Sequence, residues 1–160
     1  MGVYSSQVPL IINHDWSRTK AEMRKLMSLR DRVQTEKFGH STHYLMKRLG
    51  TLSDHKYSDS WFRFSGIGIY KTMPWIGEMQ SFFEEVKLND IAVSCLTGDA
   101  AGHIDLPGQL SALNYIIEIE DDSAFTWLEK DGVREEYSND VNTAWIIDAQ
   151  SFHGVSNKGE

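Results

Sequence analysis

Three side chains stand out for the chemistry they could perform together. In "GHIDL", His103 and Asp105 lie two residues apart. On a strand, that spacing sets both side chains on one face, near enough to grip one ion from two sides. His153 follows 50 residues later, where the apolar run "TAWIIDAQ" ends and a finishing strand would leave an imidazole at its mouth. Two imidazoles and one carboxylate on the same side of a metal leave the opposite positions open. That facial arrangement suits an iron ion that must receive both O2 and a co-substrate. With no metal, the histidines would be surface residues and Asp105 would cap the turn before Pro107-Gly108.

Bringing these residues together requires a suitable framework. The 160 residues form one domain, enough to bury a hydrophobic core without disulfide or metal staples. A formal charge of −7 and a pI near 5.3 argue against nonspecific nucleic-acid binding, which needs a basic face. Cys95 is the single cysteine, so no intramolecular disulfide can form, and a reducing, cytoplasmic setting is expected. The N-terminus "MGVYSSQVPLIINHDW" lacks the charge and apolar pattern of a signal peptide, and no apolar run reaches the length of a membrane span.

Along the chain, "VPLIIN" (8–13) reads as a short strand. From Thr19, Met23, Leu26, Met27, Arg30 and Val33 recur at helical spacing, with Thr19 and Glu22 as a capping box. "SWFRFSGIGIYK" has strand composition, and Pro74 opens a second helical pattern through "WIGEMQSFFEEVKL". Beyond residue 90 come "IAVSCL", "GHIDL", "ALNYIIEI", "AFTWLE", "VREEYS" and "TAWIIDA", separated by turn material. Short strands in close order, with no helical period between them, predict an antiparallel sandwich or barrel. Asp131-Gly132 fits a tight hairpin turn. The expectation is an α+β chain: a mainly helical flank over 1–90 and an all-β core over 91–160.

The His-x-Asp pair, the β-rich interval and "HGVSN" after an apolar strand together resemble the Fe(II)/2-oxoglutarate-dependent dioxygenases. The resemblance spans 91–160 and is loosely similar to the prolyl-hydroxylase-like and aspartyl/asparaginyl β-hydroxylase branches. It implies a jelly-roll-like double-stranded β-helix, with His103, Asp105 and His153 as iron ligands. In that family 2-oxoglutarate chelates Fe(II), and O2 drives its decarboxylation to succinate and CO2 while a substrate C–H bond is hydroxylated. Ascorbate serves as an auxiliary reductant. The substrate would be a peptide or small molecule. By the same resemblance Asn114 or Tyr115, in "SALNYII", would lie near the co-substrate, and alternation lets only one of them point inward.

The family also anchors the far carboxylate of 2-oxoglutarate with an Arg or Lys about ten residues past the distal histidine, on the last core strand. Lys158 is only five residues past His153, and Arg63 and Lys71 are more distant candidates. Seven core strands against the family's eight suggest a sequence that lacks the last of them. Two rival readings share the scaffold: a non-catalytic jelly-roll binding module, and a cupin-like metalloenzyme that does not use 2-oxoglutarate. His40 and His43 read as a solvated segment, "GIG" (66–68) as strand or bulge, and Cys95 as core. Glu135 and Glu136, being adjacent, belong on opposite faces of a strand.

Overall fold

Alternating apolar and polar residues with turn-forming Gly, Asn and Asp between them make the C-terminal half a series of antiparallel strands. The computed structural model of the chain describes residues 2–35, 61–65, 69–70, 73–83, 88, 91–96, 100–105, 107–120 and 123–157. Among these it is a mixed protein, mostly antiparallel sheet, with an α-helix and a 3₁₀ helix. No helix among the described residues is long and apolar enough to cross a membrane. The chain divides into two compact units: Met1–Asn13 with Gly98–Glu160, and His14–Thr97.

In the second unit, helix α1 (Ser17–Thr35) begins two residues before the expected capping box. The Ser17 N–H donates to Asp15 Oδ1 (3.0 Å), so Asp15 serves the helix start. Thr19 is fully buried, and its hydroxyl accepts from Trp75 Nε1 (2.8 Å), tying α1 to the 3₁₀ helix Pro74–Phe82. Met23, Leu26, Ile76 and Met79 are buried in these two elements. Strand β2 (Trp61–Ser65) pairs with β3 (Ala92–Leu96). "IAVSCL" thus belongs to this two-stranded sheet rather than to the β core expected for it, because its edge is taken by β2.

The first unit contains two sheets. One has the order β1-β8-β5, from β1 (Ser5–Val8), β8 (Ala144–Asp148) and β5 (Ser111–Tyr115). The other has the order β4-β9-β6-β7, from β4 (Ala100–His103), β9 (Phe152–Asn157), β6 (Ala124–Lys130) and β7 (Val133–Ser138). The strand expected at 8–13 forms earlier, at Ser5–Val8, where the backbone can pair with Ala144–Ile147 of β8. Pro9 follows immediately and has no N–H to continue the ladder. The hairpin turn falls where expected, with positive φ at both Asp131 (52°) and Gly132 (76°).

The sheets pack as a β-sandwich through Leu128, Tyr137 and Ile147, with Trp145, Ala112 and Tyr4 against them. Tyr137 of β7 stacks on Trp145 of β8, ring centroids 4.0 Å apart at 11°. Polar ties join the same sheets: Lys130 Nζ lies 2.7 Å from Asp148 Oδ2. Glu135 of β7 accepts from the N–H groups of Val3 and Tyr4 and from the Ser5 hydroxyl (2.9 Å), holding the N-terminal strand. Glu136, next along, faces the other way and binds Arg134 (3.0 Å).

Burial pushes the Glu135 carboxyl upward, but the hydrogen bonds from Ser5, Tyr4 and Val3 outweigh it and hold the group below its ordinary range. The Asp148 carboxyl is held low chiefly by its bond from Lys130. A depressed folded pKa contributes stability that is full above the unfolded value, about 4.3 for Glu and 3.9 for Asp, and is lost as pH falls through the folded value. The melting temperature is therefore expected to fall on acidification below about pH 4. Glu135→Gln should lower it at neutral pH and flatten the acid limb. Circular-dichroism melts across pH 3 to 7 check this; a Glu135→Gln limb as steep as wild type would exclude Glu135 as a source.

Candidate metal centre

Antiparallel pairing of β4 with β9 sets His103 directly opposite His153. The register shifts between Ala100, paired with Val155, and His103, so β4 spends one residue more than β9 over this stretch. A bulge of this kind re-aims the side chains beyond it. The two imidazole centroids are 4.4 Å apart, tilted by 56°. His153 is buried, whereas the His103 side chain is 42% exposed, so the pair has a covered and an open side.

Asp105 reaches the pair by a different route from the one its spacing suggests. Strand β4 ends at His103, so Asp105 lies beyond it and strand alternation does not place it. Hydrogen bonds between two turns do so. The Asp105 N–H donates to the Ala149 carbonyl (3.1 Å), in the turn between β8 and β9. The Gln150 amide donates to the carbonyls of Gln109 (2.9 Å) and Asp105 (3.4 Å). Gln109 Nε2 donates to Asp105 Oδ2 (3.1 Å), which leaves Oδ1 turned toward the imidazoles. Gly108, at φ 97°, gives this loop the left-handed residue its turn needs.

Asp105 Oδ1 lies 3.4 Å from His103 Nε2 and 3.9 Å from His153 Nε2, and one ligand atom from each residue falls within 4.8 Å of the others. With metal–ligand bonds of about 2.1 Å, two ligands of one ion stand ~3 Å apart when adjacent and at most ~4.2 Å when opposed. Placing all three as adjacent ligands of one ion closes the two Asp105 spacings by about 0.4 and 0.9 Å and the widest spacing by up to about 1.8 Å. The donor chemistry is also prepared. His153 Nδ1 is 2.8 Å from the Ser151 carbonyl, which can only accept, so the proton sits on Nδ1 and Nε2 keeps its lone pair. Burial pushes the His153 pKa down despite that bond, favouring the neutral, ligating imidazole. His103, Asp105 and His153 could thus bind a metal ion.

On the face of the sheet opposite the histidines, a Cβ on Gly102 would collide with the Phe152 and Trp127 rings, so glycine there lets these rings lie against β4. Of the two residues considered for the co-substrate, Asn114 pairs with Trp145 and shares the inner face of its sheet with Ala112 and Ile147. Tyr115 points to the other face, where its hydroxyl accepts from the Ile12 N–H (3.4 Å) and meets Asn142 Oδ1 (3.5 Å). His14, in the second unit, lies beside Glu78 (3.9 Å). His40, His43, His55, "GIG", Lys71 and Lys158 lie outside the described residues, as does the Arg63 side chain.

Gln109, Gln150 and Ser151 could not have been chosen from the sequence. Glutamines and serines in turns carry no distinguishing pattern, and their role here depends on the contact between two turns distant in the chain.

No protein-family model, curated protein or solved structure matches this chain. Fold and site by themselves define an antiparallel, sandwich-like β unit bearing a His-Asp-His cluster fit for a metal ion.

Proposed function

We propose that this chain is an Fe(II)/2-oxoglutarate-dependent oxygenase that hydroxylates a C–H bond of a peptide or small-molecule substrate. The observation that carries the reading is the convergence of one ligand atom each from His103, Asp105 and His153 at one edge of the sandwich. Two nitrogen donors and one oxygen donor, one histidine open to solvent, are the ligand set of an iron site that keeps coordination positions free. The order of strands supports a double-stranded β-helix: β4 lies in the four-stranded sheet, β5 in the three-stranded, β6 and β7 in the first, β8 in the second, β9 in the first.

Bound iron would supply the activation of O2 and the oxidation of the co-substrate. The chain's own residues hold and orient. Ser151 fixes the His153 tautomer, Gln109 turns the Asp105 carboxylate, and the rings of Trp127 and Phe152 back β4. The deeper interior, lined by Leu128 and Ile147, keeps water away from the closed side of the site.

Succinate release from 2-oxoglutarate tests the reading, with Fe(II), ascorbate, O2 and a panel of peptide and small-molecule substrates. Wild type should form succinate, and Asp105→Ala should lose at least ~100-fold, more than removing an outer-shell partner typically costs. Succinate formation undiminished in Asp105→Ala would sink the mechanism. Metal binding without 2-oxoglutarate turnover would favour a cupin-like metalloenzyme, and no metal binding a jelly-roll binding module.

A further inference from the structure

Two connections meet at the metal cluster, and each runs from one sheet to the other. The chain leaves β4 of the four-stranded sheet at His103 and enters β5 of the three-stranded sheet at Ser111, passing through Asp105 and Gln109. It returns from β8 to β9 through only Ala149, Gln150 and Ser151. The spacing of Asp105 from His153 therefore depends on how the two sheets are held at this end. The short return turn anchors both ligands: the Ala149 carbonyl accepts from the Asp105 N–H (3.1 Å), and the Gln150 amide donates to the Asp105 carbonyl (3.4 Å). The Ser151 carbonyl takes the His153 Nδ1 proton (2.8 Å). Ala149 and Ser151 are fully buried, so the turn has little room to shift alone.

Asp148 fixes the turn in its turn. Its Oδ1 accepts from the Gln150 N–H (2.9 Å), its carbonyl from the Ser151 N–H (3.0 Å), and its own N–H donates to the Tyr4 carbonyl of β1 (2.8 Å). That leaves Oδ2, which Lys130 Nζ of the opposite sheet meets at 2.7 Å. His103, His153, Leu128 and Glu135 stand opposite one another as a rung across β4, β9, β6 and β7. Lys130, two residues past Leu128, lies on the same inner face one rung further on. The Tyr4 ring covers its ammonium (5.7 Å to the centroid). The bond to Asp148 is the main cause that holds the Lys130 pKa up, as the bond from Lys130 is for holding the Asp148 carboxyl down.

We propose that Lys130 and Asp148 are positioning residues of the metal centre. Their ion pair locks the two sheets together at the β8–β9 turn, and through Ala149, Gln150 and Ser151 it sets Asp105 and His153 at ligand spacing. The inference rests on the metal site of the function proposed above. Neither residue touches the metal. Without the ammonium, Asp148 keeps its bonds within the turn but loses its hold on the opposite sheet. A drift of a few tenths of an ångström then matters, because metal–ligand distances are held to within about 0.2 Å.

The test is anaerobic Fe(II) titration of the full chain, with the visible spectrum of the Co(II)-loaded form as a second readout. Lys130→Met should weaken Fe(II) binding about tenfold, the low end for outer partners of a metal ligand. It should also shift the Co(II) bands, which report coordination geometry. Lys130→Arg, which still reaches the carboxylate, should restore both. Arg134→Met breaks the ion pairs to Glu136 and Glu129 on the outer face of the same sheet and should change neither. Combined with Gln150→Ala, the loss in Lys130→Met should fall short of additive, because both act through one turn. Wild-type binding and spectrum in Lys130→Met, an equal loss in Arg134→Met, or full additivity with Gln150→Ala overturns the positioning role and leaves the metal site standing. Should Lys130→Met fail to fold, Asp148→Asn, which keeps an oxygen for the Gln150 N–H, is read in the same way. A wild type that takes up no Fe(II) overturns both readings.

Discussion

His153→Ala is expected to abolish stoichiometric Fe(II) uptake. The residue is the most buried of the three ligands, and its Nε2 is oriented for coordination before any metal arrives. Its loss leaves one exposed imidazole and one carboxylate, a set that binds first-row metals weakly. His103→Ala should lose comparably. Gln109→Ala, which releases Asp105 Oδ2, should cost the smaller ~10–100-fold typical of an outer partner. Wild-type affinity should also weaken as pH falls through the imidazole range, because each histidine must shed a proton to ligate. Anaerobic Fe(II) titration checks the series, and Co(II) or Ni(II) can substitute because such a site does not exclude them by affinity. Equal uptake by wild type and both histidine variants would show that the cluster is not a metal site.

Leu128→Ala should produce the largest loss of stability among single core truncations in the sandwich. Leu128 is fully buried and stands between His153 and Glu135 in the same rung, packed against the Tyr137 and Ile147 cluster. Truncating a leucine in such a place leaves a cavity and typically costs about 2–5 kcal/mol. Because the cavity opens beside His153, metal affinity should drop as well. Ile146→Ala, 42% exposed on the outer face of β8, is the control and should change stability by no more than about 1 kcal/mol. Urea unfolding of the two variants decides it: similar midpoints would mean that Leu128 is not at the centre of the core.

Local pattern determined a good deal of this protein. Alternation and turn residues marked β6 through β8 close to their observed limits, while β5 stops at Tyr115 rather than running to Ile119, and Asp131-Gly132 forms the expected turn with positive φ twice. Residue type and spacing singled out His103, Asp105 and His153, although His153 lies near the start of β9 rather than at the end of the preceding strand, and placed Glu135 and Glu136 on opposite faces. These are consequences of backbone sterics and side-chain chemistry, which act over a few residues and are written in the order of the chain.

Pairing and packing decided the rest. The bulge in β4 and its register with β9 set the two histidines opposite each other, and a turn-to-turn network, not strand spacing, carries Asp105 to them. Which of Asn114 and Tyr115 faces inward depended on which side of β5 the other sheet covers. That "IAVSCL" joins β2 was equally a choice of partner, which its own apolar content does not specify. The roles of Ser151 and Gln109 arise only once distant strands meet. Long-range pairing sums many weak contacts over the whole sheet, so no short stretch of sequence contains its outcome.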